Sequence, residues 1–289
     1  MKGRDFIIRV KNGQLKFMIP KNIIEEKYFK ELKSQYNIAK ELGVTQYAIS
    51  ARMKEYEMKT FPKHLKMVNL NKQKAKKVDL NVFNEMNKNV AWLLGWIVSD
   101  GSISSRCLTF HISEKDEEIL HKFKKLLKYE GKIYHYNSKL NGKIYKVVTL
   151  KINDKKLISK LKEFGIKPKN KTIYPVIINK ENEEINKNFI RGIFEGDGSI
   201  IKKKDGGIIF EIVGTRELLQ FIQTKLIAYL NLNKTKLTKN KKLNNHYLLR
   251  YGGKKTPLRI LSWLYQNYGN LKLKRKYEKF LEIKNEVKI

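Results

Sequence analysis

The strongest hydrophobic pattern in the chain is an apolar helical segment that occurs twice and ends each time in Asp-Gly-Ser-Ile. Residues 91–103 read Ala-Trp-Leu-Leu-Gly-Trp-Ile-Val-Ser-Asp-Gly-Ser-Ile, and residues 188–200 read Asn-Phe-Ile-Arg-Gly-Ile-Phe-Glu-Gly-Asp-Gly-Ser-Ile. The two segments lie 97 residues apart, which is longer than the repeat of a solenoid. The spacing therefore indicates two fused half-domains.

The same order of hydrophobic patterns follows each copy. Alternating strands and amphipathic helices succeed one another, and each half closes with a helix. In the first half these patterns cover residues 107–113, 115–128, 144–152 and 155–164, and in the second half residues 207–214, 216–230, 246–251 and 255–268. We therefore predict an α/β (α+β) fold of two pseudo-twofold αββαββα half-domains, residues 81–182 and 183–289, with one antiparallel sheet each.

A smaller helical pattern precedes the repeats. Ile38 and Leu42 fall on one face of a short helix, and Gly43 is placed to end it in a left-handed turn. Thr45 is a suitable cap for a second helix that runs to about residue 56. The pattern predicts a helix-turn-helix-like arrangement in a small helical N-terminal domain, residues 1–80, and an ordinary helical hairpin is the alternative.

In a helix-turn-helix the second helix enters the major groove of DNA. The positions that would then reach bases or phosphates are Gln46, Tyr47, Ser50 and Lys54. A polar, basic stretch at residues 69–78 has no helical period of apolar residues, and we interpret it as the linker to the repeats. A solvated helix is the other interpretation of this stretch.

Composition changes the picture through its charge. The 289 residues include 62 Lys and Arg against 28 Asp and Glu, a formal net charge of +34. Like charges repel one another in a compact chain, so an excess of this size favours a polyanionic partner, most commonly nucleic acid. A surface coated with lysine for solubility alone is the alternative.

Several classes of protein are disfavoured. The single cysteine, Cys107, excludes an internal disulfide and is typical of a reducing compartment. The histidines are not spaced as zinc ligands. No signal-peptide pattern follows Met1, and the longest apolar run, residues 91–98, is far shorter than the ~20 residues of a membrane span. We therefore expect an intracellular protein that does not enter a membrane.

Small residues recur at one-turn spacing within both repeated helices. Gly95 and Ser99 lie four apart in the first helix, and Gly192 and Gly196 occupy the same positions in the second. Because four residues make about one turn, each pair forms a small-residue face on its helix. Two such faces allow the helices to pack closer than the usual separation of about 8–10 Å.

Each repeated helix ends at an acidic residue, Asp100 in the first copy and Asp197 in the second. Packed side by side in the same direction, the helices would bring together two carboxylates and two negative dipole ends, which is unfavourable without a counter-charge. Mg²⁺ supplies one, because it prefers carboxylates and carbonyl oxygens such as those of Ser99 and Gly196, and Mn²⁺ can substitute for it. A metal held in this way can activate water and stabilise the leaving oxygen of a phosphodiester.

These two segments carry a family resemblance. Residues 93–101, Leu-Leu-Gly-Trp-Ile-Val-Ser-Asp-Gly, and residues 190–198, Ile-Arg-Gly-Ile-Phe-Glu-Gly-Asp-Gly, resemble the paired motifs of the LAGLIDADG homing endonucleases, and the resemblance extends over residues 85–289. It implies a monomer whose two sheets form a saddle in the major groove of a long, asymmetric double-stranded DNA site. It also implies that Asp100 and Asp197 bind Mg²⁺, and that each cuts one strand across the minor groove to leave 3′ overhangs.

The earlier acidic position of the motif differs between the copies. It is Val98 in the first copy and Glu195 in the second. We expect Glu195 to face solvent, and the alternative is that it helps to orient a water molecule at the metal. Since both motif aspartates are present, we expect catalysis to be retained.

The resemblance further implies a basic residue near the scissile phosphate in each half. The matching segments are residues 164–172, Phe-Gly-Ile-Lys-Pro-Lys-Asn-Lys-Thr, and residues 270–280, Asn-Leu-Lys-Leu-Lys-Arg-Lys-Tyr-Glu-Lys-Phe. They assign the role to Lys171 and Lys274, where a lysine would offset charge on the pentavalent phosphate. The register stays open among many lysines, and the substitutes are Lys169, Lys272 and Arg275.

Base recognition is expected from outward polar side chains on the strands, since these follow the groove. The candidates are Arg106, Thr109, His111, Tyr134, Tyr136, Asn137, Lys146, Thr149, Lys151, Lys202, Lys204, Glu211, Lys236, Thr238, Asn240, His246 and Arg250. The phase of each strand is open at this level.

Two functions are compatible with the sequence. The first is a site-specific, Mg²⁺-dependent endonuclease of double-stranded DNA, and the second is a non-cleaving nucleic-acid binder, either a transcriptional regulator or an intron maturase. An intein is not expected, because the chain begins at Met1 without a splicing Cys or Ser and ends in Glu-Val-Lys-Ile.

Overall fold

The structure is a computed structural model that describes residues 6–9, 15–60, 76–140, 142–166, 181–240 and 245–287. The chain divides into two compact units, Met1–Ala75 and Lys76–Ile289. The residues just before the boundary expected near residue 80 fold with the second unit. Val78 is buried in its core, and the Asp79 amide donates to the Leu127 carbonyl at 2.9 Å.

The first unit contains a short hairpin and three helices in its described part. The elements are strands β1 (Ile7–Arg9) and β2 (Leu15–Phe17), helix α1 (Lys21–Glu25) with a π-helical continuation (Glu26–Lys30), α2 (Gln35–Leu42) and α3 (Gln46–Glu55).

The turn between α2 and α3 forms as its sequence predicts. Gly43 has φ 66°, the left-handed conformation that ends a helix at little steric cost to glycine. The Thr45 hydroxyl then accepts a hydrogen bond from the Ala48 amide at 3.2 Å and caps α3. Ala39 and Ile49 are buried between the helices. The predicted helices and the turn between them are thus present, and their assignment as a helix-turn-helix that binds DNA stays a prediction.

The second unit consists of two half-domains with the predicted order αββαββα. The first contains α4 (Lys88–Ser99), β3 (Gly101–Ile103), β4 (Cys107–Ser113), α5 (Glu117–Leu126), β5 (Ile133–Leu140), β6 (Lys143–Asn153) and α6 (Lys155–Glu163). The second contains α7 (Glu183–Asp197), β7 (Gly198–Lys202), β8 (Ile208–Gly214), α8 (Arg216–Leu230), β9 (Thr238–Lys239), β10 (Tyr247–Gly253) and α9 (Lys255–Leu264), and it is followed by α10 (Lys274–Glu286). The predicted fold class is confirmed.

Each half-domain has one four-stranded antiparallel sheet. The strand orders are β3-β4-β6-β5 and β7-β8-β10-β9, so the two sheets are equivalent in topology. The inner face of each sheet packs on its helices: Phe110 lies 4.6 Å from Phe123 between ring centroids, and Phe194 lies 4.9 Å from Phe210. Side chains alternate along a strand, which leaves an outer face on each sheet that no described helix covers.

The repeated apolar segments form α4 and α7, and each starts at an asparagine cap. The Asn87 side chain accepts from the Val90 amide at 3.1 Å, and the Asn182 side chain accepts from the Ile185 amide at 3.1 Å. Both helices are buried along most of their length because they lie between the two half-domains. Within the described ranges, no helix combines the length and apolar character needed to cross a membrane.

Candidate active site

The two repeated helices touch through glycine. A Cβ atom on Gly95 would lie 2.3 Å from the Phe189 carbonyl oxygen and 2.9 Å from the Gly192 Cα. A Cβ atom on Gly192 would lie 2.3 Å from the Trp92 carbonyl oxygen. Since no side chain fits at these distances, the predicted close packing of α4 on α7 through small residues is confirmed.

The second pair of small residues brings the helix ends together. A Cβ atom on Gly196 would lie 2.1 Å from the Ser99 Oγ and 2.4 Å from the Asp100 Oδ2. Gly95 faces Gly192, and Ser99 faces Gly196 one turn later, so the helices run in the same direction. The carboxylate of Asp100 therefore lies against the end of α7, whose last residue is Asp197.

The two aspartates stand in different surroundings. Asp100 is half-buried, and its Oδ2 lies 3.4 Å from the Ser99 hydroxyl. Asp197 is exposed. Both lie at carboxyl-terminal helix ends, where the partial charge is negative, so the pair adds like charges to like dipole ends. A cation at this point relieves that repulsion.

The donor set at the paired helix ends fits a divalent cation of the Mg²⁺ type. It consists of the carboxylates of Asp100 and Asp197 and the carbonyl oxygen of Ser99, which are oxygen ligands that Mg²⁺ accepts alongside water. The carbonyl oxygen of Gly196, also predicted as a ligand, instead accepts from the Lys276 Nζ at 3.2 Å. In the described part of the chain, no group of three or more His, Cys, Asp or Glu residues is arranged to hold a metal. A cation here would therefore rely on two carboxylates, a carbonyl oxygen and water.

A buried lysine from α10 lies beneath these helix ends. Lys276 is 6% exposed, and its Nζ donates to the carbonyl oxygens of Phe194 at 2.8 Å, Gly196 at 3.2 Å and Gly198 at 2.6 Å. Burial, and to a smaller extent the neighbouring Arg275, lowers the pKa of Lys276 to about 8, against the raising effect of the nearby carboxylates. The lysine thus holds the end of α7 and the start of β7 through three carbonyl oxygens, and that of Phe194 also accepts the Gly198 amide of the helix cap.

The structure brings Lys276, and not Lys274, against the acidic helix ends. Lys274 is exposed, with its Nζ 3.6 Å from Glu278. The two substitutes from the same segment are also engaged elsewhere: the Lys272 Nζ donates to the Tyr268 hydroxyl at 2.9 Å, and Arg275 binds Asp116 through two bonds of 2.6 and 2.8 Å. The first-half candidates Lys169 and Lys171 lie outside the described residues.

The sequence did contain a signal for Lys276. Helix α10 buries Lys276, Phe280 and Ile283, which are spaced by four and three residues. That is the apolar period of an amphipathic helix, with a lysine in its first position. Its position on this apolar stripe distinguishes Lys276 from the exposed lysines on the same helix.

We predict that Lys276→Met and Lys274→Met differ sharply in stability. Methionine at 276 removes the ammonium group that donates to three carbonyl oxygens, and loss of buried hydrogen bonds to a charged group costs about 2 kcal/mol of unfolding free energy. Methionine at the exposed position 274 is expected to change it by less than about 0.5 kcal/mol. Urea denaturation measures both, and equal stabilities would contradict the assignment.

Glu195, expected to face solvent, is buried between the two helices. It is 1% exposed, and its Oε2 accepts from the indole nitrogens of Trp92 at 2.7 Å and Trp96 at 3.2 Å. The Arg191 Nε lies 4.0 Å from the other carboxylate oxygen. The expectation was wrong because the partners of Glu195 lie about a hundred residues away in the chain. Its contacts also leave it no place as a ligand at the surface.

Burial raises the pKa of Glu195, although Arg191 and the two indole groups lower it. A carboxyl whose pKa is raised on folding stabilises the fold fully below its unfolded value, near 4.5, and that stabilisation is lost as the pH rises through the folded value. We therefore predict that wild-type protein loses stability relative to Glu195→Gln above pH 4.5, by up to about 1.4 kcal/mol per pH unit. Glutamine keeps an oxygen acceptor for the indoles.

Urea denaturation over a pH series tests this prediction, with Glu282→Gln on the exposed side of α10 as the matched control. The control should follow the wild-type profile. If the unfolding free energies of wild type and Glu195→Gln change with pH in parallel, the pKa of Glu195 is the same in the folded and unfolded states, and the prediction is wrong.

Comparison with known proteins adds similarities of modest size. No family model matches the chain. A segment of 140 residues is 31% identical to transcription initiation factor IIB from Methanocaldococcus jannaschii, over 46% of this chain and 19% of that protein, so the chain spans only about a fifth of this relative.

Similar solved structures include full-length DUF199/WhiA from Thermatoga maritima, with TM-score 0.45 and 20% identity over 71% of this chain and 62% of that one. The homing endonuclease I-WcaI bound to its DNA recognition sequence is similar with TM-score 0.47 and 18% identity, over 78% of this chain and 97% of that one. At this identity the similarity concerns the fold, and any function has to rest on the residues of the site.

The outer face of the first sheet carries a cluster of hydrogen-bonding side chains. His111 Nδ1 lies 3.1 Å from the Thr149 Oγ1, and the Tyr136 hydroxyl lies 3.2 Å from the same oxygen and also contacts His111. Tyr134 pairs with Thr149 across the strands and is 58% exposed. Candidates that share this face are Thr109 and Lys151, and Arg106 is exposed in the turn before β4.

Two lysine candidates lie on the helix-covered faces of their sheets, at strand ends that extend past the hydrophobic core. Lys146 alternates in phase with buried Val148 and lies 3.8 Å from Glu114. Lys202 pairs in register with buried Ile208 and forms an ion pair with Glu286. The structure thus corrects their expected outward orientation, because the phase of each strand is fixed by which neighbours enter the core.

The other candidates of the second half are exposed at strand ends and in turns. Lys204 lies in the turn between β7 and β8, and Lys236 and Thr238 lie at the start of β9. Arg250 is on the outer face, where its Nε donates to Glu211 from the neighbouring strand. In the first unit, Gln46, Tyr47, Ser50 and Lys54 are all exposed on α3, and Tyr47 is 82% exposed.

Proposed function

We propose that this protein is a metal-dependent endonuclease that cuts double-stranded DNA at a specific, long and asymmetric site. The observation that carries the proposal is the meeting of Asp100 and Asp197 at the ends of two parallel, glycine-packed helices. Carboxylates placed on two negative helix ends are unfavourable without a cation. Such an arrangement is expected where a metal is part of the function.

Asp100 and Asp197 would hold Mg²⁺ together with the Ser99 carbonyl oxygen and water. When bound, the metal supplies Lewis acidity, which makes water a better nucleophile and neutralises charge on a phosphodiester. Lys276 keeps the end of α7 in place through its three carbonyl contacts, so it fixes the position from which Asp197 acts. We therefore assign Lys276 as a positioning residue.

The equivalence of the two halves suits a duplex substrate. DNA has two strands related by approximate twofold symmetry, and the two αββαββα halves place one aspartate each at their shared helix pair. In the proposed reaction each aspartate serves one strand, across the minor groove, and the products carry 3′ overhangs. Both halves belong to one chain, so a monomer suffices.

Charge and surface support DNA as the substrate. The net charge of +34 provides many cations for phosphate contacts. The outer face of the first sheet presents Tyr136, His111 and Thr149, whose hydrogen-bonding groups suit base edges in the major groove. A two- to four-stranded antiparallel surface is a known way to read that groove.

A second candidate function is a non-cleaving regulator or intron maturase. The helix-turn-helix of the first unit favours it, since the exposed side of α3 presents Gln46, Tyr47, Ser50 and Lys54 to a partner. The same helix is equally compatible with an endonuclease that uses α3 to extend its contact with the target. Binding alone therefore does not separate the two functions, whereas cleavage does.

A cleavage assay on a plasmid library of random inserts tests the proposed function. We expect linear products from a small subset of plasmids in Mg²⁺ or Mn²⁺ and none in EDTA, with 3′ overhangs at the sequenced ends. If the protein retains specific duplexes in a parallel binding selection but cuts none of them with either metal, the endonuclease proposal fails and the regulator or maturase takes its place.

A further inference from the structure

The outer faces of the two sheets differ in chemistry although the sheets are equivalent in topology. The equivalence can be fixed residue by residue, because Gly101 pairs with Phe110 in the first sheet and Gly198 pairs with Ile212 in the second. These glycines directly follow the motif aspartates in both halves. One residue further along β4 and β8, His111 therefore corresponds to Val213.

The cross-strand partners extend the comparison. His111 pairs with Thr149, whereas Val213 pairs with Leu248. A hydrogen-bonded pair on the first outer face is thus replaced by a purely apolar pair at the same place on the second. We call Val213, Leu248, Ile201 and Ile209 the apolar patch.

The apolar patch consists of two cross-strand pairs on the outer face, with Glu211 and Arg250 between them. Ile201 pairs with Ile209, and Val213 pairs with Leu248, so all four side chains share the outer face. Ile201 is 40% exposed, and the other three are partly exposed. Arg250, which sits between the two apolar pairs on the same face, has its Nε bound to Glu211, so that its charge is offset within the face.

Lysines flank the apolar patch at one end and along one edge. Lys203 and Lys204 are exposed in the turn after β7, Lys254 follows β10, and Lys236 is exposed just before β9. Positive charge beside an apolar centre matches duplex DNA, whose phosphates lie on both sides of the groove. This charge argues against a second copy of this basic chain as the occupant, because like charges would face each other.

Within the major groove, the C5-methyl of thymine is the apolar group that a base pair presents. We propose that the apolar patch recognises thymine methyl groups in one half-site of the target, while the first outer face recognises the other half-site by hydrogen bonds. The inference rests on the proposed binding of duplex DNA. It predicts that the two half-sites differ in composition. The half-site that faces the apolar patch is rich in A·T pairs where it contacts the patch.

The physical reason is desolvation. Val213 and Leu248 offer no donor or acceptor, so a G·C pair placed against them loses water from its polar edge without gaining a partner. A thymine methyl in the same place buries apolar surface on both sides. The transfer free energy of one methylene corresponds to about a fourfold gain in affinity for each methyl group buried.

Uracil substitution tests the proposal without changing the protein. The full chain is first used to select bound duplexes from a random library, which gives a consensus with two half-sites. Deoxyuridine then replaces thymidine in one half-site at a time, which removes the methyl groups and keeps base pairing. We expect affinity to fall about fourfold per contacted methyl in one half-site and to change little in the other.

Two nearly isosteric variants assign the half-sites to the sheets. Val213→Thr exchanges a methyl for a hydroxyl on the patch, and Thr149→Val makes the reverse change on the first sheet. Val213→Thr should weaken thymine preference in the uracil-sensitive half-site and reduce the uracil effect there. Thr149→Val should alter preference only in the other half-site, and thermal melting checks that both variants fold.

Each outcome decides a different point. Equal sensitivity to uracil in both half-sites, or in neither, overturns the inference, while specific binding of duplexes leaves the proposed DNA recognition standing. Failure to select any duplex overturns the proposed function itself. If Val213→Thr instead dissociates an oligomer of the free protein in sedimentation, the patch is a contact between copies and the inference is overturned.

Discussion

Asp100→Asn and Asp197→Asn are each expected to abolish double-strand cleavage and to leave DNA binding nearly unchanged. Asparagine has the size of aspartate but lacks the charge that holds a divalent cation. Loss of one contact that stabilises charge in a transition state lowers the rate by about 10²–10³-fold, and loss of a metal ligand should cost at least as much. If each aspartate serves one strand, either variant converts cutting into nicking.

The assay uses a supercoiled plasmid that carries a selected target. Wild type should give linear product, each single variant open circles, and the double variant neither. Asp205→Asn is the matched control, because Asp205 also precedes a glycine and is exposed in the same half-domain. Linear product at the wild-type rate from either single variant would remove that aspartate from the site.

The same variants should not destabilise the free protein. Asp100 and Asp197 lie at negative helix ends and near each other, so a neutral side chain relieves repulsion worth roughly 0.3–1 kcal/mol at each end, which offsets the lost attraction to the Lys276 ammonium. A loss of cleavage together with unchanged or higher stability is the combination expected of a functional carboxylate. Unfolding measured without metal tests it, and lower stability in both variants would assign the aspartates a structural role.

The second large effect is expected at the helix contact, where Gly95→Ala and Gly192→Ala should each lower the unfolding free energy by about 2–3 kcal/mol. The added methyl would lie 2.3 Å from a backbone carbonyl oxygen of the other helix in both cases. Backbone cannot move aside like a side chain, so the helices must separate, and this overpacking exceeds the helix propensity that alanine gains.

Separation of the helices also moves the two aspartates apart. We therefore expect cleavage to fall in these glycine variants at temperatures where they are still folded. Gly252→Ala is the stability control, since a Cβ atom there meets nothing within 4 Å. The melting temperature should fall by about 5–10 °C in the two helix variants and stay unchanged in the control. If both helix variants melt at the wild-type temperature, the close contact between the helices is contradicted.

Much of the fold follows from local patterns in the sequence. The Asp-Gly-Ser-Ile repeat marks the ends of α4 and α7, and the alternation that follows predicts the strands and helices in the order observed. The turn between α2 and α3 depends on Gly43 and Thr45, two residues whose conformational and capping preferences are intrinsic. Such features need no distant partner, so they can be predicted.

The residues of the candidate site were predictable only in part. The aspartates could be located because their position at a helix end is a property of the repeat. Glu195 could not, since a charged residue is normally solvated, and only Trp92 and Trp96 from the other helix compensate its burial. Lys276 is one of many lysines, and three carbonyl oxygens at the end of α7 distinguish it.

By itself, the sequence determined that the protein has two equivalent halves, that each half ends a helix in an aspartate, and that two helices joined by a tight turn precede them. It did not indicate the hairpin of β1 and β2. Only the tertiary structure shows that Lys276 is the lysine at the helix ends and that Glu195 is buried. It also shows that the second sheet has the apolar pair Val213 and Leu248 where the first has His111 and Thr149. The reason is the range of the forces involved. Capping, turns and periodicity act between neighbours in the chain, whereas burial and strand register are set by residues far apart in sequence.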